Sequence, residues 1–266
     1  MSGDSLSAAL ATLRRRYGPR ALQRGDQADT VECWATGIPA LDDSVLPGGL
    51  PRGRITVLAA AAPRGPSGRL TLLQSLTAVA SRSRDVAYVD LPGTLDPGFL
   101  ADLGADLGAC LVLAPGEGRW GRGLAMGRSL VAAGLPWLGI ALGGTARPVS
   151  GWDHALNALA EAVSARGSVC VVASPGPPAP ALAHAASLIL TCSAAGWHRV
   201  HGDVTGLRVR ITATKCKVGA PGASVAVLLR YPRPYSVGEV VGLPTVVAPR
   251  LQPAGAELPA AAVSGA

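Results

Sequence analysis

The spacing of apolar runs constrains this chain more than any other feature. From residue 55 onward, short continuous apolar stretches alternate with helix-length segments. The stretches at 55–61 (ITVLAAA), 85–91 (DVAYVDL), 109–115 (ACLVLAP), 136–142 (PWLGIAL) and 168–174 (SVCVVAS) read as strands, and those at 68–82, 96–104, 121–133 and 152–166 as helices. A strand that is apolar at nearly every position has both faces buried, and a helix after each strand implies a parallel sheet covered on both sides. After residue 180 the helical spacing gives way to strands alone, at 186–193, 206–216 and 223–231. The predicted fold class is α/β: a mostly parallel central sheet flanked by helices, with antiparallel strands added at the C-terminal end.

Upstream, residues 4–17 carry Leu6, Ala9, Leu10 and Leu13 at helical spacing, with Arg14, Arg15 and Arg16 in the last turn, where cations suit the helix dipole. Gly18-Pro19 ends this helix. Residues 20–36 read as an extended linker or edge strand, and 36–54 as a short helix followed by a Gly/Pro turn. Residues 251–266 lack periodicity and are predicted to be disordered. The expected organisation is an N-terminal helix and linker (1–34), a core (35–250) and a tail (251–266).

Composition narrows the function classes. The longest apolar stretch, 130–142, is interrupted by Gly and Pro and falls short of the roughly 18–20 residues of a membrane span. The N-terminus has no apolar secretory region, so a cytoplasmic location is expected. The five cysteines (Cys33, Cys110, Cys170, Cys192 and Cys216) form no C-x-x-C pair and read as small buried apolar residues. His198 and His201 read as solvated loop residues, and no metal site is expected. A net charge of +7 permits a polyanionic partner, and Arg14, Arg15, Arg16, Arg20 and Arg24 form a basic patch. Of the 24 basic residues only Lys215 and Lys217 are lysines, and both fall in one tripeptide.

Between the first core strand and the first long helix lies PRGPSGRL, residues 63–70, where a phosphate-binding loop of pattern G-x-x-x-x-G-K-[ST] would sit. In such a loop glycines let backbone N–H groups wrap phosphates, the lysine neutralises charge and the hydroxyl holds Mg²⁺. Here Pro63 replaces the first glycine, Arg69 the lysine and Leu70 the hydroxyl residue; Gly68 remains, with Gly65 and Ser67 nearby. An aliphatic side chain cannot ligate Mg²⁺, and arginine is not a conservative exchange at a phosphate site. The segment reads either as a weak nucleotide loop or as a plain Gly/Pro turn, with the turn favoured. No cofactor is expected, residual ATP binding being the minor alternative.

Four colinear segments resemble bacterial RecA: RYGPRALQRGD (16–26), ATGIPALDDSVLPGGLPRGRI (35–55), YVDLPGTLDPGFLADLGADLGACLVLAP (88–115) and TATKCKVGAP (212–221). The resemblance implies a RecA-type P-loop NTPase core. It places Pro92 at the family's catalytic glutamate, Ala141 at the carboxylate ending the Walker B strand and Ser174 near its nucleotide-sensing glutamine. The DNA-binding loop that should follow is cut to PGPPAPA (175–181). Losing the lysine, the hydroxyl and both carboxylates removes nearly everything phosphoryl transfer requires, so the chain reads as a pseudo-ATPase and not an enzyme. The same resemblance implies that the N-terminal helix packs on a neighbouring protomer. It also implies that Lys215 and Lys217 face one side of a strand and reach a nucleotide held by the adjacent subunit.

Among RecA-like proteins with degraded motifs, the chain is most similar to ImuA-type factors of mutagenic translesion synthesis, on their actinobacterial side. That implies a non-catalytic accessory role in the DNA-damage (SOS) response. The implied partners are RecA, an inactive Y-family polymerase homologue and an error-prone DNA polymerase. The alternative is a recombinase-like protein that binds single-stranded DNA directly. The net charge favours it, but the cut loop and the single phenylalanine, Phe99, disfavour it. Trp120 and Trp197 are its candidate stacking platforms, although tryptophans in such a chain more often serve packing.

Overall fold

A computed structural model describes residues 11–12, 15–16, 31–46, 48–116, 118–143, 151–217, 221–232 and 238–243. Of the predicted N-terminal helix, Ala11, Thr12, Arg15 and Arg16 are helical, and both arginines are exposed. The rest of that helix, Arg14, Arg20, Arg24 and the tail 251–266 lie outside the described residues.

The elements follow in the order β1 (Cys33–Trp34), α1 (Pro39–Ser44), β2 (Leu50–Pro51), β3 (Arg54–Ala60), α2 (Arg69–Ser81), β4 (Val86–Asp90), α3 (Pro97–Asp102), β5 (Cys110–Leu113), α4 (Trp120–Ala132), β6 (Trp137–Ala141), α5 (Trp152–Arg166), β7 (Val169–Ser174), α6 (Pro180–Ala185), β8 (Ala186–Val200), β9 (Asp203–Cys216), β10 (Ser224–Arg230) and β11 (Glu239–Gly242). One nine-stranded sheet runs β11-β10-β9-β8-β3-β7-β6-β4-β5. Strands β8, β3, β7, β6, β4 and β5 run parallel to one another, whereas β9, β10 and β11 extend the sheet antiparallel from β8. This is the predicted α/β class. A small antiparallel pair, β1 with β2, carries the folded unit upstream to Cys33.

Alternating side chains of the apolar runs enter two separate cores. Leu58, Val86, Tyr88, Trp137, Val169 and Val171 pack against α1 and α2. Ile55, Val57, Ala87, Val89, Leu138 and Val172 pack against α4, α5 and α6. Both cores are dry, so strand residues of either parity must be apolar, and this explains the unbroken runs. Trp120 meets Trp152 edge-on inside the second core, with ring centroids 4.9 Å apart, so its role there is packing.

The structure departs from the sequence reading in four places. A helix at Pro180–Ala185, absent from the sequence reading, takes up the last two residues of the expected loop 175–181. Strand β8 continues to Val200 and meets β9 at a two-residue turn of His201 (φ 51°) and Gly202 (φ 92°). Left-handed residues at both central positions match the twist of a hairpin, and histidine tolerates that conformation better than most residues. His198 therefore lies in a strand, its Nδ1 2.7 Å from Thr205 Oγ1, and is not a solvated loop residue. Lastly, β11 adds a sheet-edge strand that the sequence reading missed.

Burial pushes the thiols of Cys170 and Cys192 up to about 12 from 9.0. The folded state resists ionising them while the unfolded chain does so near 9.0, so stability is retained below that pH and falls as pH rises towards the folded value. Each thiol contributes up to about 1.4 kcal/mol of loss per pH unit across that window. Urea midpoints measured from pH 8 to 10.5 are expected to fall more steeply for the natural chain than for Cys170→Ala/Cys192→Ala. Parallel slopes would refute this linkage.

Candidate functional site

The degenerate loop occupies the turn from β3 into α2, at the C-terminal ends of the parallel strands. This is where open α/β sheets place their ligand sites. Residues 61–66 are exposed, whereas Ser67 is buried and Arg69 and Leu70 are half-buried. Gly68 caps α2 in a left-handed conformation (φ 74°). A Cβ there would lie 2.6 Å from Leu229 Cδ1 and 2.7 Å from Val209 Cγ2, so the loop is pressed onto β9 and β10. Packing alone therefore demands a glycine at position 68. Gly65, by contrast, faces open space.

Leu70 packs against the core beneath α2. The Arg69 guanidinium donates from Nη1 to Ser67 Oγ at 3.3 Å, while its Nε is buried without a hydrogen-bond partner among the described residues. Burial pushes the Arg69 pKa down from its usual value, an effect opposed by Cys192 and Tyr88 nearby. Tyr88, buried on the same face, has its phenol pushed up, first by burial and then by the charge of Asp90.

Pro92 and Ala141 sit at neighbouring strand ends. Ala141 is fully buried and pairs with Asp90 and Ala173. Pro92 approaches Gly143 so closely that a Cβ on Gly143 would lie 2.5 Å from Pro92 Cβ. Ser174 is buried at the end of β7, beside Ala59. Pro63 lies against the short loop after β7, near Gly176.

Sequence reasoning passed over Asp90, a buried carboxylate at the end of β4. Its Oδ2 accepts a hydrogen bond from the Leu95 N–H at 2.8 Å, and its Oδ1 has no partner among the described residues. The signal was present in YVD, which matches the family's F-I-D, but the proline two residues later drew the attention.

Lys215 and Lys217 lie two residues apart at the end of β9. For Lys215 burial is the larger cause of a lowered pKa, followed by Lys217. Their roles differ. Lys215 lies in β9 opposite Ile189, and its Nζ donates to the Ala183 carbonyl of α6 at 2.5 Å. Lys217 falls one residue beyond the strand, is exposed, and its backbone N–H binds the Ser187 carbonyl at 2.9 Å. The register shift opposite Ile189 and Leu190 falls between Ala213 and Lys215, ahead of both lysines.

On β9 the residues facing away from α1 and α2 include exposed Arg208, Arg210 and Thr214, and no β9 or β10 residue joins the core under α4–α6. Trp197 in β8 is exposed at the hairpin end, with Val200 and Val204. Among the described residues no cluster of His, Cys, Asp and Glu suits a metal ion, and no helix is long and apolar enough to cross a membrane.

Residues 4–135 match the family model described as the RecA N-terminal domain. Over this stretch the chain is similar to the RecA N-terminal domain. It is 33% identical over 135 residues to Protein RecA of Lactobacillus acidophilus, a match covering 49% of this chain and 35% of that protein. It is 39% identical over 121 residues to Protein RecA of Streptomyces ambofaciens, covering 43% and 31%. The matches thus span about a third of the length of these curated relatives. The crystal structure of the RadB recombinase superposes with a TM-score of 0.58 at 16% identity, covering 73% of this chain and 94% of that one. That likeness carries the RecA-like fold beyond the first half of the sequence.

If Gly68 is retained for packing, Gly68→Ala will destabilise the fold by about 2–4 kcal/mol, from combined strain and overpacking. Gly65→Ala, strained only in its backbone, is expected to cost about 1 kcal/mol. Urea denaturation of the two variants compares them, and equal costs would sink the packing explanation.

Proposed function

We propose that this chain is a non-catalytic, RecA-related accessory protein of the bacterial DNA-damage response, of the ImuA type, acting in mutagenic translesion synthesis by docking to RecA or to polymerase partners. The observation that carries the reading is Leu70. The side chain standing where a Mg²⁺-binding hydroxyl belongs is packed into the core, and Arg69 beside it turns inward to Ser67. With Pro92 and Ala141 offering no carboxylate, the residues do not fit a Mg²⁺-nucleotide. Asp90 is the acidic side chain left at these strand ends, and one of its oxygens is already committed to Leu95.

Docking is supported by the free edge of the sheet. Among the described residues strand β5 pairs on one side only, with β4, and leaves Leu111 and Val112 exposed beside Leu107. Such an edge offers backbone groups and apolar side chains to a partner strand. The proposed partners are RecA, an inactive Y-family polymerase homologue and an error-prone DNA polymerase. Lys217, exposed at the end of β9, is the better candidate for contact across an interface, since Lys215 already binds α6.

A second reading, direct binding of single-stranded DNA, is favoured by the uncovered face bearing Arg208 and Arg210 and by exposed Trp197, which together offer phosphate contacts and a stacking surface. Partner-free affinity that falls steeply with salt would select it over docking.

No ATP turnover is expected from the purified chain. Turnover abolished by Arg69→Ala or Asp90→Asn would overturn the pseudo-ATPase reading. In pulldowns with RecA–ssDNA filaments, Lys217→Ala is expected to weaken capture. Lys215→Ala should also lower folding stability, by about 1 kcal/mol, through the lost hydrogen bond to α6. Capture unchanged in the double variant would remove the lysines from the interface.

A further inference from the structure

At the N-terminal ends of the parallel strands, opposite the phosphate loop, a cavity of about 540 Å³ opens between Trp34, Arg52, Ser83, Arg84 and Pro136. Four separate chain segments build it: β1, the turn between β2 and β3, and the turns that enter β4 and β6. Its walls combine one half-buried indole with two guanidinium groups. Trp34 leans on Trp137 at a centroid distance of 5.8 Å, which fixes its ring from the core side. Arg52 is held in place by its Nε, which donates to the Gly167 carbonyl at 3.0 Å, and its guanidinium carbon lies 5.9 Å from the Trp34 ring centroid. Arg84 stands exposed on the turn after α2, and its backbone N–H is tied to the Ala80 carbonyl at 3.2 Å.

The free side of Arg52 already faces an anion. Its Nη1 lies 3.5 Å from Glu32 Oε2, and the Glu32 side chain is 82% exposed. An ion pair that exposed contributes little, so this carboxylate is readily displaced and marks where a ligand oxygen would sit. Guanidinium groups favour flat, two-oxygen anions, and an indole wall favours a flat ring. The volume lies within the range of small-molecule sites and suits a compact molecule better than a chain.

We propose that this cavity binds a small organic anion with a planar ring, the ring against Trp34 and the anionic oxygens between Arg52 and Arg84. A phosphate monoester and an aromatic carboxylate share this chemistry. The site is separate from the remodelled loop, which lies at the other end of the strands.

Calorimetric titration of the full chain with 5′-AMP, benzoate and inorganic phosphate tests it. At least one ring-bearing probe should bind, with inorganic phosphate about tenfold weaker or more; tighter binding of AMP than of benzoate would identify a phosphate monoester, and the reverse a carboxylate. Arg84→Ala, at an exposed position that leaves the fold intact, should weaken that binding about tenfold, as should Arg52→Ala. Glu32→Gln should tighten it by removing the competing carboxylate, and Arg69→Ala should leave it unchanged. The proposal is overturned if none of the probes binds at millimolar concentration or if inorganic phosphate binds as well as the ring-bearing probes. It is equally overturned if Arg84→Ala has no effect, or if binding is lost in Arg69→Ala and retained in Arg84→Ala.

Discussion

The central strands of the parallel sheet, β3, β4, β6 and β7, have no solvent-facing side, and their loops answer to that constraint before any other. Strands β3, β4, β6 and β7 send alternate side chains into two dry cores, so the residues at their C-terminal ends sit over apolar ground. A nucleotide site in that position needs polar side chains that stay out of the core. Here each such position is filled by a group that joins it or closes over it. Leu70 packs beneath α2, Ala141 is fully buried, Pro92 closes on Gly143, and Gly68 is pressed against Leu229 and Val209. Substitutions that merely removed chemistry would leave gaps, whereas these form contacts. The loop is stabilised as a turn.

The polar atoms that remain under α2 locate the strain of this arrangement. Thr56 Oγ1, Arg69 Nε and Asp90 Oδ1 are buried without hydrogen-bond partners among the described residues. Each unsatisfied group of this kind costs on the order of 1–3 kcal/mol. Arg69 still gains from Ser67, and Asp90 from the Leu95 N–H, so both are half-satisfied. Asp90 holds the start of the β4–α3 loop, a structural reason for a carboxylate that requires no metal ion.

Much of this architecture was legible in the sequence because periodicity reports burial directly. Unbroken apolar runs located β3, β4, β6 and β7, and the shift to strands alone after residue 180 anticipated the antiparallel extension. What escaped depends on long-range partners. Helix α6 is six residues long, too short for a periodic signal, and it is anchored by Lys215 from β9. The outer half of β8, AAGWHRV, is exposed and has neither an apolar run nor a regular alternation to mark it as a strand; it is ordered by pairing with β9. The loop positions at 63–70 were placed from the pattern, yet the packing role of Gly68 follows from β9 and β10, far away in sequence. Asp90 was overlooked for a similar reason, since its burial follows from the strands around it.

The two edges of the sheet are finished differently, and the contrast bears on function. At the β11 edge, Glu239 pairs with Arg230 of β10, so charged groups border that strand and discourage further pairing. At the β5 edge the exposed side chains are Leu111 and Val112, with Leu107 just before them, and no charge interrupts CLVL. A solitary soluble domain gains nothing from such an edge and is exposed to misassembly by it, whereas a chain that meets a partner there buries those side chains at about 1.5–3 kcal/mol each. At the phosphate-loop position the side chains pack against the sheet, and among the described residues the apolar edge lies at the far end of that sheet, on β5. The docking role proposed above draws on the second feature and asks no chemistry of the first.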